Sequence, residues 1–374
     1  MTARHAEIAG AGFGGLVAAI ALARRGWTVR VHEIGPELRA FGAGIFLWEN
    51  GARVLAAIGA WDAIPAGAHE ARFYETRHGE KLVASDEFTL AARGSRMFTM
   101  TRQHLYAAIL AAARAAGVEF RTRSEVVGAA PEGVLITADG ARYHADLVIG
   151  ADGVKSKVRD SLGLLKERSA CDDGIIRVLV PRLRAELGPG AWDNVIDFWH
   201  FGAPTLRILY TPCNERELYM AMMAPVRDEA AAIPVREDIW SAAFPQLAPV
   251  IRRIGSEGRY DAYETSRLTR WSVGRVAVLG DAAHAMVPTL GQGAGTAIMN
   301  ALTLAVSLER ASDIEAALAR WEAAERPLTE YTQERADFAA RERLFAQGRG
   351  WIAENLRTAR HIPTGTEHLP REFA

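Results

Sequence analysis

The stretch AEIAGAGFGG, residues 6–15, decides the fold. Its first four residues have the pattern of a short buried strand, and the glycine cluster leads into an alanine-rich stretch typical of a helix, to about residue 25. A second strand pattern, residues 28–33, ends in the acidic residue Glu33. Strand, glycine turn, helix, strand and terminal acid in this order predict a dinucleotide-binding βαβ unit.

Each glycine of this unit has its own predicted role. Gly10 makes the tight turn, Gly12 lets the backbone approach a pyrophosphate, and Gly15 lets the helix pack close to the strand. The helix N-terminus, with roughly half a positive charge, faces the phosphates. Glu33 lies 18 residues after Gly15, where a ribose-binding carboxylate is expected. The alternative is a glycine turn that binds nothing.

Composition excludes several classes of protein. The chain has 374 residues, 49% of them hydrophobic, and a formal net charge of -1. This balance argues against a nucleic-acid or anionic-membrane partner, because either favours a basic surface. Two cysteines are too few for a disulfide framework, and the apolar run of residues 16–23 is too short to span a bilayer. We therefore expect a soluble cytoplasmic protein without a metal site.

The middle of the chain changes character. Four runs alternate like strands: residues 175–180, 195–199, 206–211 and 218–224. They predict an antiparallel sheet inserted into an α/β chain. A three-residue hairpin loop centred on Cys213 would place Arg207 and Tyr219 on one face, whereas a four-residue loop would place them on opposite faces. Residues 314–356 have a charged helical pattern, which predicts a solvated outer face.

Two further motifs follow the glycine turn. Asp152-Gly153 comes after the strand pattern of residues 146–150, and GDAAH, residues 280–284, is followed by Pro288 and by GQG at residues 291–293. The three motifs in this order resemble the single-component FAD-dependent aromatic hydroxylases, the p-hydroxybenzoate hydroxylase class. The resemblance covers most of the chain.

Shorter stretches resemble one branch of that class. They match the oxygenases of 3-hydroxypyridine carboxylates, represented by the 2-methyl-3-hydroxypyridine-5-carboxylate oxygenase of vitamin B6 breakdown. The matching stretches are residues 38–45, 74–76, 176–177, 180–182, 192–194, 207–210 and 217–219. Phe46 departs from the pattern, since that branch has a pocket tyrosine there. The exact substrate therefore stays open.

The resemblance implies an α/β fold: a Rossmann-like FAD-binding domain, an inserted antiparallel-sheet substrate domain and a C-terminal helical region. The implied FAD-binding domain comprises residues 1–73, 100–170 and 268–330, the substrate domain residues 74–99 and 171–267, and the C-terminal helical segment residues 331–374.

The resemblance also implies a set of FAD-binding residues. They are Gly10, Gly12, Phe13, Gly15, Glu33, Arg39, Arg102, Val126, Asp152, Asp281, Pro288, Gly291, Gln292, Gly293 and Ala294. Backbone N–H groups of residues 291–293 would face the reduced flavin, and Asp281 would accept hydrogen bonds from the ribityl chain. Four alternatives stay open: residues 291–293 as an ordinary loop at the start of a helix, Asp281 as a helix cap, Asp152 as an ordinary turn residue and Arg102 as a solvated arginine. His284 is either catalytic or a buried structural histidine.

The predicted substrate residues are Tyr74, Arg177, Arg207, Tyr219 and Tyr263, with Pro288 against the reactive face of the flavin. An arginine in an apolar strand needs a partner, which a bound carboxylate would supply. The tyrosines would hydrogen-bond the ring hydroxyl or ring nitrogen. The alternatives are arginines on the solvent face and tyrosines that only pack the core.

The implied reaction is oxygenation of a 3-hydroxypyridine carboxylate by NADH or NADPH and O2, through a flavin C4a-hydroperoxide. Ring opening, and insertion of one or two oxygens, stay open. Three alternatives remain: a hydroxybenzoate or phenol hydroxylase of the same class, an FAD-binding redox module without turnover, and a flavin-free NAD dehydrogenase. A homo-oligomer is compatible with the sequence.

Overall fold

The computed structural model describes residues 3–89, 94–190, 192–348 and 351–370. The strands are β1 His5–Ala9, β2 Thr28–His32, β3 Gly44–Trp48, β4 His69–Glu70, β5 Phe73–His78, β6 Lys81–Glu87, β7 Met97–Thr101, β8 Glu119–Arg121, β9 Val126–Ala130, β10 Val134–Thr137, β11 Arg142–His144, β12 Leu147–Gly150, β13 Leu165–Pro181, β14 Val195–Phe201, β15 Thr205–Pro212, β16 Glu217–Pro225, β17 Arg259–Leu268, β18 Ser272–Val273 and β19 Val276–Val278. The helices are α1 Phe13–Ala23, α2 Glu49–Ala57, α3 Arg102–Ala115, α4 Lys157–Ser161, α5 Glu237–Ala243, α6 Ala248–Ile251, α7 Asp281–His284, α8 Gly293–Leu308, α9 Ile314–Arg341 and α10 Trp351–Ala359.

The first large sheet contains the predicted βαβ unit. Its order is β18-β19-β12-β1-β2-β8, and all neighbouring strands are parallel except β18 and β19. Helix α1 packs between this sheet and α8, which buries residues 13–22. Its residues are therefore apolar on all sides. A Cβ on Gly14 would lie 2.7 Å from Leu279 Cδ1, so glycine permits this packing. The α/β fold predicted from residues 6–33 is confirmed.

The second large sheet has the order β17-β13-β16-β15-β14-β5-β6. Its neighbours are antiparallel except β14 and β5, which are parallel. One face is covered by α5 and α6, which bury Trp240 and Phe244. The other face points toward the first sheet.

The hairpin β15–β16 differs in detail from expectation. Arg207 pairs with Met223 and Thr211 with Tyr219, so the loop is centred on Glu215 rather than on Cys213. Arg207 and Tyr219 still lie on one face of the sheet, because the pairing shifts by an even number of residues. They are not directly opposite each other.

The C-terminal region is more than an outer face. Within α9, Ala317, Leu318 and Trp321 are fully buried in the hydrophobic core that contains α1 and the first sheet. The helix predicted as a solvated outer face therefore has one buried side. The last described residues are held by Arg53, whose guanidinium donates to the carbonyls of Thr366 (3.0 Å), Leu369 (2.9 Å) and Pro370 (2.7 Å). In the described ranges, every helix is too short or too polar to cross a membrane.

Candidate active site

A cavity of about 620 Å³ lies between the carboxyl ends of the first sheet and the inner face of the second. Most of the predicted site residues line it: Gly12, Phe13, Gly15, Arg102, Arg177, Arg207, Tyr219, Tyr263, Asp281, Pro288, Gly291, Gly293 and Ala294. The carboxyl edge of a parallel sheet is where α/β folds bind ligands. The cavity therefore joins the nucleotide motifs to the inserted sheet.

The glycine turn has the geometry that a pyrophosphate requires. Gly10 has φ of 96°, and a Cβ there would lie 2.3 Å from the Ala151 carbonyl oxygen. A Cβ on Gly15 would lie 2.1 Å from the Gly10 carbonyl oxygen, so α1 packs directly on the turn. A Cβ on Gly12, by contrast, would meet no atom within 4 Å, because that side faces open space. The N-terminus of α1 is thus exposed to an anion.

Glu33 supports this turn from the neighbouring strand. Its carboxylate accepts hydrogen bonds from the backbone N–H groups of Ala11 (3.1 Å) and Gly35 (2.8 Å). The side chain stays partly exposed, so it can also accept from a ribose hydroxyl.

Arg102 is a half-buried cation whose Nε is buried, and it has no acidic partner among the described residues. Its guanidinium lies over the Phe13 ring, 4.9 Å from the centroid, and its Nε makes no hydrogen bond. Burial lowers the pKa of Arg102, as does repulsion by Arg177, while Asp281 acts in the opposite direction. An anionic group in the cavity would compensate the cost of this buried charge.

The turns at Gly280 and Gly291 lie at the other end of the predicted cofactor site. Gly280 and Gly291 have φ of 63° and 64°, so the chain turns sharply before α7 and before α8. Asp281 lines the cavity, and its side chain is exposed there. Burial raises the pKa of its carboxyl, and Arg102 lowers it. Backbone N–H groups at the start of α8 are free to face a ligand.

Seven predicted residues do not line the cavity: Gly10, Glu33, Arg39, Tyr74, Val126, Asp152 and Gln292. Asp152 accepts from the backbone N–H groups of Lys157 (2.7 Å) and Val158 (3.1 Å), as an ordinary turn residue would. The Arg39 side chain is 75% exposed, and Val126 packs in the core.

Gln292 and His284 point away from the cavity. The Gln292 side chain donates to Asn355 Oδ1 in α10 (3.1 Å). His284 contacts the Asn300 amide (3.0 Å) and the Trp271 ring. Burial lowers the pKa of His284 to about 4, so its imidazole is neutral at physiological pH. This environment is that of a structural histidine.

Two arginines of the second sheet approach the cavity, each with an acidic partner. Arg177 donates through Nε to Asp261 Oδ2 (2.8 Å) and lies over the Phe41 ring. Arg207 donates to both carboxylate oxygens of Asp197, at 2.6 and 3.0 Å. Among the described residues, its remaining nitrogen, Nη1, has the Met223 sulfur as its only acceptor, at 3.4 Å. Burial alone would lower the pKa of Arg207, but Asp197 raises it.

The three tyrosines have different positions. The Tyr74 hydroxyl donates to Asp197 Oδ2 (2.8 Å), behind the cavity wall. The Tyr219 and Tyr263 hydroxyls have no hydrogen-bond partner among the described residues, and both side chains line the cavity. Burial raises the pKa of both phenols, that of Tyr263 to about 12, so both remain protonated donors.

Several cavity residues were missed by the sequence analysis. Trp351 and Phe345 line the cavity from the charged C-terminal region, where the helical pattern gave no signal of a site. Asp197 does have a signal, since it is a single acid within the apolar run of residues 195–199. Its complete burial identifies it as the partner of Arg207.

The residues present fit FAD. The open side of Gly12 leaves room for a pyrophosphate, and the Glu33 carboxylate lies at the same turn as an acceptor for a ribose hydroxyl. Arg102, which has no acidic partner among the described residues, would pair with an anionic group. The family model described as "FAD binding domain" matches residues 4–344.

Solved and characterised relatives agree with this assignment. The structure of tetrameric 2-methyl-3-hydroxypyridine-5-carboxylic acid oxygenase is 46% identical, with a TM-score of 0.93 over 97% of this chain and 98% of that chain. A 2-heptyl-3-hydroxy-4(1H)-quinolone synthase of Mycobacteroides abscessus is 42% identical over 89% of each chain. The 3-amino-4-hydroxybenzoate 2-monooxygenase of Streptomyces cremeus is 33% identical over 90% of this chain and 86% of that protein. The chain therefore belongs to the FAD-binding family of that model, and it is a flavoprotein aromatic monooxygenase.

Proposed function

We propose that the protein uses NADH or NADPH and O2 to oxygenate a 3-hydroxypyridine carboxylate. The observation that carries this proposal is Arg207, a buried cation on the cavity wall. In the part of the chain that the structure describes, the only acceptor for its Nη1 is a thioether. A carboxylate is a far better acceptor for that nitrogen, since charge-assisted hydrogen bonds are roughly twice as strong as neutral ones. Relatives with carboxylate ligands in their names support the same class.

The FAD-binding residues act by position and charge. FAD, when bound and reduced, activates O2 and supplies an electrophilic oxygen atom. Arg102 and the N-terminus of α1 would hold its phosphates, and Asp281 its ribityl hydroxyls. Of the predicted residues 291–293, the Gly291 N–H donates to the Pro288 carbonyl (3.0 Å). The backbone N–H groups of residues 292 and 293 would stabilise negative charge on the flavin ring, because fixed dipoles need no reorganisation during the reaction.

The substrate residues would hold and polarise the ring. With the carboxylate at Arg207, the phenols of Tyr219 and Tyr263 are the donors available to a ring oxyanion. Their raised pKa values keep them protonated while the ring hydroxyl is ionised. An oxyanion makes the ring electron-rich, so it needs orientation rather than a strong base. Arg177 adds positive charge nearby, although Asp261 compensates part of it.

The test is a substrate panel on the FAD-loaded protein. NADH and NADPH oxidation, O2 uptake and peroxide are measured with 3-hydroxypyridine carboxylates and with hydroxybenzoates, and product masses are determined. We expect acceleration by the pyridines, with a product one or two oxygens heavier and without matching peroxide. Product mass and loss of ring absorbance decide whether the ring opens. A response confined to hydroxybenzoates, or none at all, would contradict the proposal.

A second candidate is hydroxylation of an alkylated quinolone. The relative named for a 2-heptyl-quinolone favours it. Adding 2-heptyl-4(1H)-quinolone to the panel separates the two candidates. We further propose a homo-oligomer, supported by the tetrameric relative, and light scattering tests it.

A further inference from the structure

The apolar end of the cavity is a double layer of aromatic rings, here called the aromatic wall. It consists of Phe46, Trp48, Tyr74, Phe88, Phe345 and Trp351. Phe46, Phe345 and Trp351 line the cavity, whereas the other three lie behind them. Trp351 contacts every other member of the wall, and it is 3% exposed. The indole is therefore the partition between the cavity and the rear layer.

Trp351 is fixed in place from two sides. Its ring stacks on Tyr74, with centroids 4.3 Å apart and planes 10° apart. Its indole Nε1 donates to the Thr289 carbonyl (2.8 Å), in the turn that precedes α8. Tyr74 is in turn held by its hydrogen bond to Asp197 (2.8 Å). A ring held by a stack and a hydrogen bond does not move aside easily for a larger ligand.

We propose that Trp351 is a specificity-determining residue that sets the size limit of the cavity. The proposal rests on the proposed function, and it narrows the substrate class to single-ring carboxylates. The carboxylate anchor Arg207 and the partition Trp351 are linked through Tyr74, which contacts both. A ligand anchored at Arg207 therefore extends toward a fixed wall. A fused second ring or an alkyl chain needs the space that the indole fills.

The test measures binding rather than turnover. Equilibrium dialysis of the FAD-loaded protein gives Kd for 2-methyl-3-hydroxypyridine-5-carboxylate and for 2-heptyl-4(1H)-quinolone. We expect wild-type protein to prefer the pyridine, and Trp351→Ala to shift the ratio of the two Kd values toward the quinolone by about tenfold or more. Trp351→Leu is the second variant, since it keeps an apolar side chain. Thermal melting and FAD content confirm that each variant is folded.

A matched control is Trp240→Ala. Trp240 is also fully buried, and its indole also donates to a carbonyl, that of Ala230 (3.1 Å), but it lies on the far side of the second sheet. This variant should keep the wild-type ratio. A folded Trp351→Ala or Trp351→Leu protein with the wild-type ratio would overturn the proposal. So would a wild-type protein that prefers the quinolone and loses it in these variants, because Trp351 would then be a contact for that ligand.

Failure of the proposed function gives a different result. Wild-type protein that binds neither probe would contradict the substrate class. The size limit is then decided by the same dialysis with 4-hydroxybenzoate and 6-hydroxy-2-naphthoate, one ring against two. A shift of the ratio toward the naphthoate in Trp351→Ala supports it, and an unchanged ratio or binding of neither acid overturns it.

Discussion

The ring of Tyr219 lies directly against the backbone of Gly44. A Cβ on Gly44 would come within 2.5 Å of three carbons of Tyr219, which is closer than atoms can approach. Gly44 begins β3 and Tyr219 lies in β16, so this contact joins the two halves of the cavity. The absence of a side chain at Gly44 fixes where the Tyr219 hydroxyl points.

Gly44→Ala should therefore displace Tyr219 and impair substrate binding. Because small displacements of a positioning group are costly, we expect the substrate Kd to rise about tenfold or more. FAD affinity should change little. The matched control is Gly42→Ala, whose Cβ would meet Leu179 at an ordinary 3.7 Å. Equal effects of the two variants in equilibrium dialysis would contradict this account.

Arg102→Met should weaken FAD binding. The methionine fills similar space between Phe13 and Phe41 but removes the positive charge near the glycine turn. Loss of a charge-assisted hydrogen bond predicts a Kd for FAD about tenfold to hundredfold higher. Fluorescence titration of the apoprotein measures it. Arg39→Met is the control, since Arg39 is 75% exposed and outside the cavity lining. A larger loss for Arg39→Met would restore that residue as the FAD ligand.

Asp197→Asn should destabilise the fold strongly. It leaves the buried Arg207 without its counter-charge, which costs about 3–5 kcal/mol in comparable cases. The double variant Asp197→Leu with Arg207→Met should recover much of the stability, because no buried charge remains. Urea unfolding monitored by circular dichroism gives the comparison. The exposed pair of Arg236 and Asp238 is the control, and Asp238→Asn should leave the free energy of unfolding nearly unchanged, because water screens an exposed pair. A similar cost for both pairs would argue against a buried charge at Arg207.

Glu49→Gln should change how stability depends on pH. Burial raises the pKa of Glu49 to about 7, despite Arg96 and Arg53, and neither carboxylate oxygen has a hydrogen-bond partner within the described residues. The folded state therefore holds a proton that the unfolded state releases near pH 4.5. The Glu49 carboxyl therefore makes its full contribution to the free energy of unfolding below pH 4.5. That contribution decreases by about 3 kcal/mol as the pH rises through 7.

The measurement is the free energy of unfolding of wild type minus that of Glu49→Gln, from pH 4.5 to 8. We expect this difference to fall as pH rises. Glu309→Gln, at a 52% exposed side chain, serves as the control. A flat difference for Glu49→Gln would show that the carboxyl titrates normally.

Much of the fold was accessible from local patterns. The glycine turn, α1 and the strands around residues 195–224 depend on short-range signals, namely glycine spacing and apolar periodicity, and the structure has them nearly where predicted. The hairpin loop was displaced by two residues because alternation fixes the face of a strand but not its register.

The site was predicted less evenly. Arg102 and the loop of residues 291–293 line the cavity because they flank regular elements with fixed positions. Tyr74 was expected to touch substrate, but its hydroxyl is directed to Asp197. Trp351 was not predicted, since Tyr74 and Thr289, which hold its ring in place, are more than 60 residues away in sequence. Such long-range contacts leave no periodic trace in the chain.

The grip of Arg53 on the carbonyls of Thr366, Leu369 and Pro370 has a consequence for biosynthesis. A nascent chain presents the glycine turn early, but Arg53 meets these three acceptors only after residues 366–370 have left the exit tunnel of the ribosome. Trp351 is synthesised shortly before them. The aromatic wall is therefore completed late in translation, long after the glycine turn has been synthesised.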